Sequence, residues 1–152
     1  MDRFLSSNLA RWLWTSTPNE VSENFVQIWH GLAGTMRQDG EAKTITFAMK
    51  CLGIALLMAG ESKFSFEKIS IPVDYRVREF TKRIGVTFDG DGEVRKFWSH
   101  VLAELRKSVD VNMIHLDSLI WQIGVLEKHE IVEYFSRLGL KEVGEKLAEV
   151  VV

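Results

Sequence analysis

Apolar residues recur along this chain mostly at helical spacing. Val21, Phe25, Ile28, Trp29 and Leu32 form the stripe of an amphipathic helix. The preceding Thr17-Pro18-Asn19-Glu20 reads as a capping box with proline at the first helical position. Gly34 and Gly40 bracket a polar connection, and a second helix is predicted from about Lys43 to about Met58, with Ile45, Met49, Leu52 and Leu56 inward. Asp74 is a credible N-cap for a helix carrying Val77, Phe80 and Ile84. From about Glu93, the residues Val94, Phe97, Trp98, Val101, Leu102 and Leu105 share another helical face, and residues 112–124 read as a helix start and its helix. Two short helices close the chain, one around Ile131, Tyr134, Phe135 and Leu138, the other around Val143, Leu147 and Val150.

One stretch breaks the period. Phe64, Phe66, Ile69 and Ile71 within residues 61–73 are spaced by two around polar residues, which predicts an extended segment or a short hairpin. Asp89-Gly90-Asp91-Gly92 is a turn; the ligands a calcium loop needs do not follow at the required spacing. At the N-terminus Phe4, Leu5, Leu9, Trp12, Leu13 and Trp14 crowd a very short piece, expected to be a helix folded onto the core rather than a docking surface. With Pro18 and Pro72 as the chain's two prolines and no linker or repeat, the expectation is one all-α domain over residues 1–152 with a single extended excursion.

Charge alters this picture only locally. A chain of 152 residues can bury a real core, and a net charge of −2 argues mildly against nucleic-acid binding. Yet over residues 76–107 the bases Arg76, Arg78, Lys82, Arg83, Arg95, Lys96, Arg106 and Lys107 outnumber the acids, so a basic face is available. Cys51 stands alone, which excludes an intrachain disulfide and suits a reducing interior. No run is long and apolar enough for a membrane span, and a cytoplasmic protein is expected. His30, His100, His115 and His129 have no metal-ligand spacing, so neither metal nor other cofactor is expected.

Three motifs carry candidate chemistry. Lysine is a nucleophile when its amine is unprotonated, a state favoured by burial and by the positive end of a helix, where Lys43 falls. Asp74 and Asp117 each read as aspartates at helix starts: ordinary caps, or carboxylates able to steady positive charge and relay protons. Phe47 follows Lys43 by four residues and Lys50 by seven; Trp121 follows Asp117 by four. Two aromatics on different helices can sandwich a planar base while Lys50 and Asp117 bond its edges, or they can simply pack in the core.

The words around these residues resemble the archaeal GO glycosylase family, a branch of the helix-hairpin-helix DNA glycosylases that excises 8-oxoguanine and nicks abasic sites. The resemblance runs through Lys43-Thr44-Ile45-Thr46-Phe47-Ala48-Met49-Lys50, Ile71-Pro72-Val73-Asp74-Tyr75-Arg76-Val77, Thr81-Lys82-Arg83, Arg95-Lys96-Phe97-Trp98 and His115-Leu116-Asp117-Ser118-Leu119-Ile120-Trp121, in order over roughly residues 20–124. It implies a helix-hairpin-helix glycosylase-like fold, with Lys43 as the Schiff-base lysine and Asp74 as the catalytic aspartate. Phe47, Trp121, Lys50 and Asp117 would surround the extruded base, and Arg76, Lys82, Arg83, Arg95 and Lys96 would contact DNA phosphates. The implied partner is DNA containing 8-oxoguanine. The resemblance also implies a further helical region before the matched part, so this chain is expected to correspond to the family's C-terminal portion. Its pocket would then be open on one side near Phe4, Trp12 and Trp14, to be completed by a separate N-terminal-half chain or a homo-oligomer. The interval from Lys43 to Asp74 is a residue shorter than in the family, a change a loop absorbs. The competing readings are a non-catalytic DNA- or protein-binding module of the same fold, and an unrelated helical interaction protein.

Overall fold

Helices in this protein start where the sequence supplies an acceptor for backbone N–H groups that helical geometry leaves open. The computed structural model describes residues 2–151, and among them the regular elements are helices without strands. In order they are α1 (Asp2–Leu5), α2 (Asn8–Thr15), α3 (Pro18–Glu23), α4 (Phe25–Met36), α5 (Lys43–Met58), α6 (Tyr75–Arg83), α7 (Asp91–Leu105), α8 (Met113–Ile123), α9 (Lys128–Arg137) and α10 (Lys141–Val150). The box at α3 forms as read: the Glu20 N–H donates to Thr17 Oγ1 at 3.3 Å and the Thr17 N–H to Glu20 Oε2 at 2.7 Å. Asp74 caps α6, its Oδ1 accepting from the Val77 N–H at 3.0 Å.

Two expectations shift. The stripe from Val21 to Leu32 belongs to two helices, because the Asn24 side chain donates to the Glu20 carbonyl at 2.9 Å and competes with the helical ladder. Gly34 lies inside α4, which runs on to Met36 and is closed by Arg37 in the left-handed region at φ 54°.

Residues 61–73 form no hairpin. A 3-10 turn (Phe66–Lys68) interrupts an irregular segment that leaves it through Ile69 in extended conformation. Its alternating apolar side chains serve a helical core: Phe25 meets the Phe64 ring at 4.9 Å between centroids and the Phe66 ring at 5.5 Å.

The chain divides into two compact units. One comprises the chain through Pro72 together with Asn112–Ile114; the other comprises Val73–Val111 and the chain from His115 onward. In the first, Phe25, Ile28, Ile45, Met49 and Phe66 are buried, and Gly53 allows α5 a close approach. A Cβ there would stand 2.6 Å from Ile114 Cδ1 and 3.0 Å from the Phe66 ring. The N-terminal helices do fold back: Leu9 and Leu13 help line an apolar cavity of about 460 Å³ with Ile28, Leu32, Met49 and Leu52. Trp14 points outward at 91% exposure, and Cys51 is exposed on α5.

In the second unit Val77, Val94, Ile120, Ile123 and Ile131 are buried. The Trp98 indole N–H donates to Thr81 Oγ1 at 2.8 Å, and that hydroxyl donates onward to the Val77 carbonyl at 2.6 Å. Gly139, at φ +76°, makes the turn into α10, which packs on α9 so closely that a Cβ on Gly144 would lie 2.9 Å from Phe135 Cβ and 3.1 Å from Val132 Cα.

Candidate functional site

The start of α5 is built without a side-chain cap. Ala42 occupies the N-cap, and its carbonyl accepts from both Ile45 N–H (2.9 Å) and Thr46 N–H (3.0 Å). The Thr44 hydroxyl donates to Gln38 Oε1, and the buried Thr46 hydroxyl bonds back to the Ala42 and Lys43 carbonyls. With Ile45 and Met49 turned into the core, the other edge of α5 carries Lys43, exposed at the first helical position. Phe47 lies one turn on, at 46% exposure, and Lys50 another turn on, buried with 8% exposed. The three share a face at increasing depth.

The remaining candidates lie in the second unit. Asp74 is half-buried with its Oδ1 engaged in the α6 cap. Asp117 does not start a helix. That place belongs to Asn112, whose Oδ1 accepts the Ile114 N–H at 3.0 Å, so Asp117 falls in the second turn of α8 at 1% exposure. Trp121, a turn later, is 40% exposed. Carboxylate and indole therefore share a helix face, one inside and one at the surface.

The basic residues behave unequally. Arg76 donates from an NH1 group to the Trp121 carbonyl at 2.7 Å, and its guanidinium carbon lies 4.3 Å from the centroid of the Trp121 ring. Arg83, seven residues along the same face of α6, donates to the Gly124 carbonyl at 3.1 Å and the Leu126 carbonyl at 2.7 Å. Together they satisfy carbonyls at the C-terminal end of α8, where a helix leaves acceptors open and favours positive charge. Lys82 pairs with Glu79 at 3.0 Å, Arg95 is half-buried, and Lys96 is exposed.

Arg78, counted above only as part of the basic face, has a partner that the sequence did not reveal. Its guanidinium forks onto Asp91, with both N···O distances 2.8 Å, joining α6 to the first residue of α7. The hydrogen bond from Arg78 holds the Asp91 carboxyl below its ordinary value, and the same bond raises the Arg78 guanidinium. The available signal was an aspartate in the first turn of a helix beside a run of bases. Among the described residues no cluster of His, Cys, Asp and Glu is arranged to hold a metal ion, and no helix is long and apolar enough to cross a membrane.

A family model described as AGOG: N-glycosylase/DNA lyase matches residues 1–151, so the Trp-rich N-terminal helices and α9–α10 also fall within family sequence, beyond the words quoted above. The helices are those of the DNA-glycosylase fold. Curated relatives, each named N-glycosylase/DNA lyase, come from archaea. The Methanopyrus kandleri protein is 30% identical over 75% of this chain and 43% of its own length. The Thermococcus kodakarensis protein is 31% identical over 82% of this chain and 42% of its own length. The Nanoarchaeum equitans protein is 32% identical over 66% of this chain and 40% of its own length. The chain belongs to the AGOG family. It spans about two fifths of the length of the curated relatives it matches. No solved structure matches it.

Proposed function

We propose that this chain supplies the catalytic helices of a DNA glycosylase/lyase that excises 8-oxoguanine. The observation that carries the reading is the family match over residues 1–151, with Lys43 at the exposed first position of α5 and Phe47 one turn behind it. A flipped nucleotide presents its anomeric carbon to Lys43 and its base to the aromatic face of Phe47, and the family resemblance makes Trp121 a further base-stacking surface. The Lys43 amine attacks C1′, and the electrons of the C1′–N9 bond leave with the base, which takes up a proton. Opening of the sugar ring at O4′ yields an imine between Lys43 and C1′. Loss of a C2′ proton then expels the 3′ phosphate by β-elimination, and water releases the lysine. Asp74, held by the α6 cap, handles protons and steadies the positive charge that develops on the sugar. Lys50 and Asp117, the two buried charged residues among the six, read the edges of the base.

Borohydride reduction on an 8-oxoguanine duplex tests this directly. A covalent protein–DNA adduct is expected, and Lys43→Gln should lower its yield by at least about a hundredfold. Absence of an adduct at high protein concentration, with DNA binding intact, would establish the non-catalytic module instead.

A further inference from the structure

We infer that Arg76 is the positioning residue for the Trp121 stacking platform rather than a phosphate contact. The inference rests on the reading of Trp121 as a surface for the extruded base, and on geometry within one unit. Arg76 holds residue 121 at two points: its guanidinium donates to the Trp121 carbonyl at 2.7 Å and lies 4.3 Å from the centroid of the Trp121 ring. A planar cation stacked on an indole is attracted by the ring quadrupole, and a simultaneous hydrogen bond to the same residue's backbone fixes where the plane of that cation must lie. The ring is thereby confined on the Arg76 side while two fifths of Trp121 stays exposed to solvent.

The second anchor comes from Arg83, whose bonds to the Gly124 and Leu126 carbonyls fasten the end of α8 to the same face of α6. At Gly124 a Cβ would stand 2.5 Å from the Ile120 carbonyl oxygen, so the turn that ends α8 needs glycine there. The backbone that carries the indole is thus held at residue 121 itself and again three and five residues later. An exposed tryptophan ordinarily samples several rotamers, and stacking on a flipped base would have to immobilise it at an entropic cost. Arg76 removes much of that freedom in advance. A guanidinium committed to a carbonyl and a ring is also poorly placed to neutralise a phosphate.

These consequences separate the two roles of Arg76. Protein labelled with 5-fluorotryptophan carries five reporters, and Trp121→Phe assigns the relevant fluorine signal. Arg76→Met and Arg76→Lys should both shift and broaden the Trp121 signal, leaving the other four in place, because lysine lacks the planar fork. On a duplex containing 8-oxoguanine the same variants should slow base excision about tenfold more than they slow cleavage of a preformed abasic site, which offers no base to stack. The slope of log affinity against log salt should stay as in the unmodified protein. A Trp121 signal unmoved by Arg76→Met, or a salt slope reduced by about one phosphate contact, would overturn the inference. Failure of the unmodified chain to excise or bind would instead count against the glycosylase reading, and the fluorine signal would still decide how Trp121 is held.

Discussion

At residue scale, Asp74 carries two roles that one substitution can separate. Its Oδ1 caps α6 through the Val77 N–H. Asparagine caps about as well as aspartate, whereas alanine forfeits about 1 kcal/mol. Asp74→Asn should therefore leave the urea midpoint within about 0.5 kcal/mol of the original while lowering excision by about a hundredfold, if the charge does the chemistry. Asp74→Ala should lose both. Equal activity of the asparagine variant would reduce Asp74 to a cap. The cap itself was legible, because its donor lies three residues away in sequence. The depth of Asp117 was not: its exposure depends on where α8 begins, and that is set by Asn112 rather than by any feature of Asp117. Nor were the bonds of Arg76 and Arg83, whose acceptors lie 45, 41 and 43 residues away. Basic residues on a predicted helix face look alike until the chain folds.

At the scale of elements, helix starts with local acceptors were readable and helix ends less so. Lys43–Met58 matches its predicted bounds because the apolar period and the preceding polar stretch coincide. The break at Asn24 and the extension of α4 through Gly34 were hidden, since both follow from backbone bonds that compete on nearly equal terms. The alternation at Phe64, Phe66, Ile69 and Ile71 has the period of a strand, but aromatic packing onto Phe25 uses it without pairing. The α9–α10 pair makes a sharper demand. A Cβ on Gly144 would stand 2.9 Å from Phe135 Cβ and 3.1 Å from Val132 Cα, neither of which can rotate away. Gly144→Ala gains helix propensity of up to about 1 kcal/mol, yet it must push the two helices apart, an overpacking cost of about 1–3 kcal/mol. The net expectation is a lower thermal midpoint, read by circular dichroism; an unchanged or raised midpoint would show that the pair can slide.

At the scale of the molecule, the all-helical character was plain from the period of apolar residues, while the division into units was not. No shift of composition marks the boundary between Pro72 and Val73, and three residues far along the chain, Asn112–Ile114, belong with the first unit. The acid side of the stability curve gives a global prediction. Thr17 lowers the Glu20 carboxyl through backbone and side-chain hydrogen bonds, and Arg78 lowers Asp91. Depressed folded values mean that these groups stabilise the fold fully above their unfolded values, near 4.5 and 3.8, and cease to do so as pH falls through the lower folded ones. The urea midpoint should hold from neutrality to about pH 5 and then decline. Because the Asp91 side chain is 39% exposed, solvent screening limits its share to at most about 1 kcal/mol. Asp91→Asn should flatten that part of the decline; an unaltered acid limb would place the loss at other carboxylates.

The single thiol has a consequence of another kind. Cys51 is exposed on the helix that begins with Lys43, eight residues and therefore about 12 Å along the axis from it. Each chain thus carries one chemically unique address near the proposed nucleophile. A maleimide dye or nitroxide attached there can report on the arrival of a duplex without any engineered cysteine. The same address makes α5 the one place where oxidative coupling can join two copies through sulfur.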